Sequence, residues 1–453
     1  YSAQAVFCHK YAHHIAALAT TPIAGKQASL TKLLRGPDAA TWSRSNANEW
    51  GPLLQFGIGK DQPLAERITG TGTIFFIRKA NVPSDRHVSY ANYLCNIRPQ
   101  KTETHCVRMT AGGDQLDYPG DASSPAVAML DAKLHINSTI SDARHGARFL
   151  GLDLANYYLG TPMKYYQYIR VLPKMIPQEV WDDPRYAPHI EADGFVYLEI
   201  RRGMYGLKEA GILAFEQLVT KLAPQGYTPA AFTPGLWRHT TKPTTFTLCV
   251  DDFGVKYFTK TDALHLVSTL NKDYEITTDW AGSLYCGLTL DWHYDAGYVD
   301  ISMPGYVDRA LSKFQHPAPK RSQHAPHKWV EPVYGSRQPQ NPTPTSKAPL
   351  LDKHGTVRVQ SISGTFLFYG RACYPCILPV LNELASEQAA PTTDTITKAD
   401  MLMDYLHTYP NAVIRYYASD MILKITSDAA YLVQPKAGSR AAAYYHLGWL
   451  NSD

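Results

Sequence analysis

The chain has 453 residues, a net charge of +4 with histidine neutral, 45 % apolar residues and 19 % charged ones. That length exceeds what one hydrophobic core normally fills, so two or three domains are expected, and the apolar fraction suits an ordinary globular protein and not a disordered one. No run of about 18 apolar residues occurs, so no membrane-spanning helix is expected. The seven cysteines are scattered and odd in number, which argues against a secreted disulfide scaffold. The start at Tyr1 lacks a signal-peptide pattern and reads as the middle of a longer reading frame.

The thirty tyrosines are numerous. Such rings can stack on bases, although most single tyrosines are packing residues. The segment 38–57 has apolar spacing near 3.6 and predicts a helix with Trp42, Trp50 and Leu53 on one stripe. Strands are predicted at 72–78, 93–98 and 105–110, the last two as a hairpin with a basic tip. A helix is predicted over 124–140, and then a strand at 148–153 that ends on Asp153. After Pro162 comes a tyrosine-rich polar stretch, followed by a short strand at 196–200, a turn at 203–206 and a helix over 208–224 closed by Pro224 and Gly226.

The next unit carries most of the chemistry. Thr245 to Val250 and Phe253 to Phe258 read as two strands with Asp251 and Asp252 at the tip of their hairpin. A helix at 261–271 and a strand pair at 284–302 follow. Residues 324–350, rich in Pro, Ser, His, Lys and Gln, read as a linker. Beyond it, 360–390 and 396–408 are helical patterns, and 421–428 and 441–447 are strands. Cys373 and Cys376 stand in a CYPC tetrapeptide with redox spacing, but no strand–helix frame of that kind precedes it, so the reading is structural.

A carboxylate left unpaired in a core is costly, so Asp153, Asp251 and Asp252 belong at strand ends. Strand-end carboxylates meeting in a split sheet suit Mg²⁺, and two such ions could activate an attacking hydroxyl and stabilise a leaving pyrophosphate. Two acids at a hairpin tip are also often no more than a turn.

Three motifs in order resemble a known family: LDLANYYLG at 152–160, YGLKEAG at 205–211 and VDD at 250–252. They look like the palm of Ty1/copia-type LTR retrotransposon reverse transcriptases, and the segment 196–311, with FGVKY and MPGYVDRAL, is also similar. The resemblance covers roughly residues 35–450. It implies an α+β right-hand polymerase fold with fingers, palm and thumb, acting as an RNA-directed DNA polymerase on dNTPs and an RNA or DNA template with an annealed primer. The divisions expected are an N-terminal extension and lead-in helix at 1–71, fingers, palm and the start of the thumb at 72–323, the linker at 324–350, helical thumb or connection at 351–415, and the start of a retroelement ribonuclease H segment at 416–453.

By that resemblance, Asp153 and Asp251 hold two Mg²⁺ ions (Mn²⁺ is an alternative), with Asp252 in support. Tyr158 is the sugar gate, or Tyr157 if the register slips by one. Lys101 and Arg108, with Arg98 behind them, meet the triphosphate. Lys208 and Glu209 stand near the nucleotide, Tyr205, Gly206 and Gly211 lie against the nascent pair, and Gly287, Trp292 and Tyr306 seat the primer end. Asp428 is the first ribonuclease H acid, and no ribonuclease H activity is expected of these residues alone. Other parts of a retroelement polyprotein are the expected partners, and the expected location is intracellular, a cytoplasmic particle or the nucleus. Two departures stand out. Glu209 occupies a place where glutamine is usual, and Ala155 a place where lysine is usual. Two other readings stay open: an inactive relic that at best binds nucleic acid, and an unrelated metal-dependent hydrolase.

Overall fold

The computed structural model describes residues 29–59, 68–97, 103–116, 118–328, 348–434 and 438–450. In chain order the helices are α1 (Leu30–Leu33), α2 (Ala39–Leu53), α3 (Met129–Ser141), α4 (Gln178–Asp182), α5 (Ala210–Leu222), α6 (Lys260–Leu270), α7 (Tyr306–Phe314), α8 (Lys353–Ala372), α9 (Leu378–Glu387) and α10 (Thr393–Thr408). The strands are β1 (Ile74–Ile77), β2 (Val88–Ile97), β3 (His105–Ala111), β4 (Arg148–Leu154), β5 (Pro162–Val171), β6 (Val196–Arg202), β7 (Tyr227–Pro229), β8 (Leu236–His239), β9 (Thr245–Cys249), β10 (Asp252–Tyr257), β11 (Ile276–Asp279), β12 (Leu284–Tyr285), β13 (Leu288–His293), β14 (Tyr298–Ser302), β15 (Val413–Tyr417), β16 (Ile422–Gln434) and β17 (Gly438–Gly448). The architecture is mixed α and β, with four sheets among the described residues, which divide into two compact units: those up to 132 with 150–280, and 133–149 with those from 281 on. Among the described residues no helix is long and apolar enough to cross a membrane.

The first unit holds a six-stranded sheet, β11-β4-β10-β9-β8-β7, and a five-stranded sheet, β1-β6-β5-β2-β3. β4 is a near-continuous apolar run, and Phe149, Leu150, Gly151 and Leu152 are all buried, as a strand covered on both faces requires. Leu150, Leu152 and Leu154 join Phe246, Leu248, Phe253 and Val255 of the β9–β10 hairpin in one core. Ala214, Leu218 and Leu222 of α5 and Ala263, Leu266 and Leu270 of α6 complete it. Each fully buried side chain of this size contributes about 1.5–3 kcal/mol. α6 starts at Thr259, whose hydroxyl accepts from the Asp262 N–H at 3.2 Å. The turn after α5 ends on Gly226 at φ 89°, where a left-handed residue closes it.

The predicted helix at 38–57 is α2, and Trp42, Trp50 and Leu53 are buried as expected. The tyrosine-rich 162–171 stretch, for which no element was expected, is strand β5. Its pairing with β6 shifts register between Pro162 and Gln167, and this irregularity broke the alternation that would have marked it.

In the second unit β12, β13, β14 and β15 form an antiparallel sheet, so the strand pair expected at 284–302 is three strands, joined by the later β15. Arg415 of β15 grips Asp300 of β14 with two bonds of 2.7 and 2.8 Å. Helices α8, α9 and α10 replace the two helical patterns, because Pro375 separates α8 from α9. Asp352 caps α8 by accepting from the Gly355 N–H at 2.7 Å, and Thr392 and Thr395 form a capping box on α10. β16 and β17 pair over a long hairpin. Cys373 is buried, and its burial pushes the thiol up to about 12, whereas Cys376 is exposed; neither is in a disulfide. A thiol held protonated in this way is a packing group. The expected linker lies largely outside the described residues.

Candidate active site

Asp153 sits near the end of β4, opposite Thr277 of β11, and its residue is exposed. On the other side of β4 lies β10. Cys249 and Asp252 pair across the β9–β10 hairpin, so the turn between them is two residues long, Val250 and Asp251. Val250 has φ 64°, a left-handed conformation that a β-branched residue adopts only under strain. Two-residue hairpins favour a positive φ at the first turn position because it matches strand twist, and glycine is the usual occupant. Asp252 is therefore the first residue of β10, not part of the tip.

The turn is tied to β4 by backbone: the Leu154 N–H donates to the Asp251 carbonyl at 3.2 Å. The first two acids consequently belong to adjacent backbone positions on neighbouring strands. Burial, and then the charge of Asp153, lift the Asp251 carboxyl from near 3.8 to about 6; the Arg108 guanidinium pulls weakly the other way. A carboxylate raised by burial and by a neighbouring carboxylate holds its charge at a cost. Among the described residues no group of three or more His, Cys, Asp or Glu side chains is gathered as a ready metal cluster.

A layer of rings adjoins the pair. Tyr158 is 5 % exposed, and burial followed by the Asp251 charge holds its phenol well above the usual range. Its ring meets Tyr205 edge to face at 5.3 Å. The Arg108 guanidinium lies over the Tyr205 ring at 4.1 Å, a cation–π arrangement. Burial works against the Arg108 charge, but Tyr205 and Glu49 hold its pKa above the ordinary value. Tyr157, the alternative gate, is also buried, and its hydroxyl finds no hydrogen-bond partner among the described residues.

Glu49 was absent from the sequence reading. It stands on α2, accepts from the Met109 N–H at 2.8 Å and lends its charge to Arg108. Nothing in the helical pattern of 38–57 distinguishes it from a solvated acid. The long-range pairing of α2 with β3 is what makes it matter.

The YGLKEAG segment packs closely against its neighbours. Gly206 has φ 93°, and a Cβ there would stand 2.1 Å from the Ala111 carbonyl oxygen; the Ala111 N–H in turn donates to the Tyr205 carbonyl at 2.8 Å. The close approach that this glycine permits is made by the end of β3. At Gly211 the corresponding neighbour is Ser124, 3.0 Å away. Glu209 is 3 % exposed and accepts from Gln167 Nε2 at 2.9 Å, so it faces a buried amide and not an open cleft. The Lys208 ammonium donates to the Leu116 carbonyl at 2.7 Å.

Residues expected at the primer end lie in the second unit. Gly287, at φ 76°, has open space where a Cβ would be. Trp292 stacks between Phe149 and Tyr294, 5.2 Å from each, and its N–H donates to the Gly282 carbonyl at 2.9 Å. Tyr306 is 2 % exposed, stacks on Tyr369 at 5.2 Å and donates to the Thr365 carbonyl at 2.8 Å. The polar groups of Trp292 and Tyr306 are thus both hydrogen-bonded within the protein. Asp428 is exposed on β16 with Ala442 as its cross-strand neighbour. Arg98 and Lys101 lie outside the described residues.

No family model matches the chain, and no curated protein matches it. Among solved structures the chain is similar to the foamy viral protease-reverse transcriptase dRH in complex with double-stranded DNA, at 12 % identity and a TM-score of 0.38. The match covers 83 % of this chain and 53 % of that one, so the chain spans about half the length of the protein it resembles.

Proposed function

We propose that this chain is the polymerase core of a retroelement reverse transcriptase, an RNA-directed DNA polymerase of the Ty1/copia type that extends a primer with dNTPs. The observation that carries the reading is the juxtaposition of Asp153 near the end of β4 with Asp251 in the β9–β10 turn, where burial and then the Asp153 charge raise the Asp251 carboxyl. The motif resemblance supplies the order of the acids, and the sheet β11-β4-β10-β9-β8-β7 supplies a reason for their spacing in sequence.

The donor set fits a hard divalent cation. Two carboxylates, one of them lifted to about 6 by burial and then by the other's charge, are what Mg²⁺ would relieve. Asp153 and Asp251 would hold it, with Asp252 at the base of β10 in support. Bound there, Mg²⁺ supplies activation of the primer hydroxyl and charge neutralisation at the transferred phosphoryl group.

The chain's own side chains do the rest. Tyr158, rigid between the core and Tyr205, excludes a ribose hydroxyl. Arg108, kept charged by Glu49 and Tyr205, meets developing phosphate charge. In this reading 72–323 supplies fingers, palm and the start of the thumb, 324–350 the tether, 351–415 the thumb or connection, and 416–453 the beginning of a ribonuclease H segment.

The test is primer extension on an RNA template with dNTPs and Mg²⁺, with Asp251→Asn alongside. Extension by the parent and none by the variant is expected. A folded parent protein that binds the duplex and never extends it would instead favour the inactive relic.

A further inference from the structure

The five-stranded sheet has two unlike faces. Ile74, Ile169, Val171, Leu198 and Ile200 turn inward to the core. The alternate residues carry rings and cations. Arg201 lies over Phe75 at 3.8 Å and over Tyr166 at 5.5 Å, while Arg86 and Lys164 lie over Tyr165 at 5.5 and 5.3 Å. Arg170, paired with Tyr90 in the ladder between β2 and β5, lies over Phe195 at 4.5 Å. Tyr165 and Tyr166 are 54 % and 40 % exposed, large for rings on a strand. They occupy the irregular part of β5, where register with β6 shifts and side chains are thrown outward.

The charge balance of this face is also one-sided. Its acids are already engaged: Glu199 with Arg201 at 2.6 Å and with the Tyr168 hydroxyl at 3.1 Å, Asp193 with Lys79 at 2.8 Å, and Glu191 with Arg78 at 3.0 Å. Arg86, Lys164 and Arg170 form no ion pair among the described residues, which leaves three cations interleaved with exposed rings.

We propose that this outer sheet face binds single-stranded nucleic acid, with bases stacking on Tyr165 and Tyr166 and backbone phosphates meeting Arg86, Lys164 and Arg170. Rings accept any base, and cations track the backbone, so the surface takes a single strand without reading its sequence. A duplex hides its base faces and gains only the cations. This binding is independent of the polymerase reading, because neither the acid pair nor a dNTP takes part in it.

The experiment measures fluorescence anisotropy of a labelled oligo(dT) with the full chain, without primer, nucleotide or divalent ion, across a salt series. Tyr165→Ala with Tyr166→Ala is expected to weaken binding about tenfold or more, with the salt slope unchanged. Tyr165→Phe with Tyr166→Phe should retain it. Replacing Arg86, Lys164 and Arg170 by alanine should lower the slope of log affinity against log salt by about 2, at roughly 0.7 per phosphate on a single strand. Melting curves that match the parent's show each variant folded, and the cation variant provides the test should the double tyrosine variant not fold. The proposal is overturned if the parent does not bind oligo(dT) at low salt, if folded variants bind like the parent, or if blunt duplex competes as well as unlabelled single strand.

Discussion

The Leu154 backbone N–H donates to the Asp251 carbonyl oxygen at 3.2 Å, which fastens the residue after the first acid to the residue that is the second. Side chains can swing, but a backbone bond between a central strand and a hairpin turn fixes where the two carboxylates start from. The raised Asp251 carboxyl follows from that placement, and so does its sensitivity to the medium.

The first prediction concerns pH. Asp251 is lifted from near 3.8 to about 6, so the folded state binds its proton more tightly than the unfolded chain. Stability from this group is fully present below about pH 4 and is lost as pH rises through about 6. Asp251→Asn should therefore stabilise the protein at about pH 7.5 by roughly 1–3 kcal/mol, and by almost nothing at about pH 4, while abolishing extension. Thermal melts of both proteins at the two pH values check it; an equal gain at both would remove the charge explanation.

Magnesium gives the second prediction. A cation held by Asp153 and Asp251 favours their ionised forms, so millimolar Mg²⁺ should draw the Asp251 carboxyl back below about 6 and reduce the loss of stability between acid and neutral pH. The same addition to Asp153→Asn should do much less. Melts across pH with and without the ion read this directly, with no need for activity. A response to Mg²⁺ that is identical in the two proteins would place the ion elsewhere.

How much of this was legible in the sequence follows from range. Asp153, Asp251 and Asp252 stood out in the sequence because each lies at or beside the end of an apolar strand, a local signal. Val250 was not: a β-branched residue at φ 64° is a conformation imposed by a two-residue hairpin, and the sequence alone placed both acids at the tip. Gly206 read as a place of close backbone approach, and only the fold shows that Ala111 is the backbone beside it. Tyr306 lay within a family-like segment, yet its stacking on Tyr369 and bond to Thr365 come from one helix, α8, about sixty residues further along the chain, beyond any local pattern.

The turn itself supplies the third prediction. A left-handed valine costs on the order of 1–3 kcal/mol, and glycine relieves it. Val250 also packs against the core from a half-buried position, and that contact would be lost. Val250→Gly should therefore change stability by less than about 1 kcal/mol, less than trimming a half-buried valine elsewhere, while loosening the placement of Asp251 and slowing extension. Denaturant unfolding beside single-nucleotide extension rates separates the two effects. A large destabilisation would show that packing, not strain, governs the position.

The sugar gate gives the fourth. Tyr158 is buried, meets Tyr205 edge to face and lies within the field of Asp251. If the ring excludes a ribose hydroxyl, its shape matters and its own hydroxyl does not. Tyr158→Phe should keep the preference for dNTPs, whereas Tyr158→Val should reduce it by roughly 10–200-fold, the range that small volume changes in a binding pocket produce. The measurement is the ratio of incorporation efficiencies for a dNTP and its rNTP. A Tyr158→Val protein that extends with dNTPs at undiminished selectivity would move the gate to another residue, with Tyr157 the next to test.

Tyr306 supplies the last prediction. Its hydroxyl donates to the Thr365 carbonyl at 2.8 Å in a site with 2 % exposure. Removing that hydroxyl leaves a buried carbonyl without its partner, at a cost of about 1–3 kcal/mol, and removing the ring costs about 3–5 kcal/mol. Tyr306→Phe should accordingly melt at a lower temperature, yet extend primers at the parent's rate per folded molecule with an unchanged Kd for duplex. A residue that seated the primer end would show the reverse, with weakened duplex binding and an unaltered melt. Both quantities come from one preparation, so a general loss of folded protein cannot pass for a loss of primer contact.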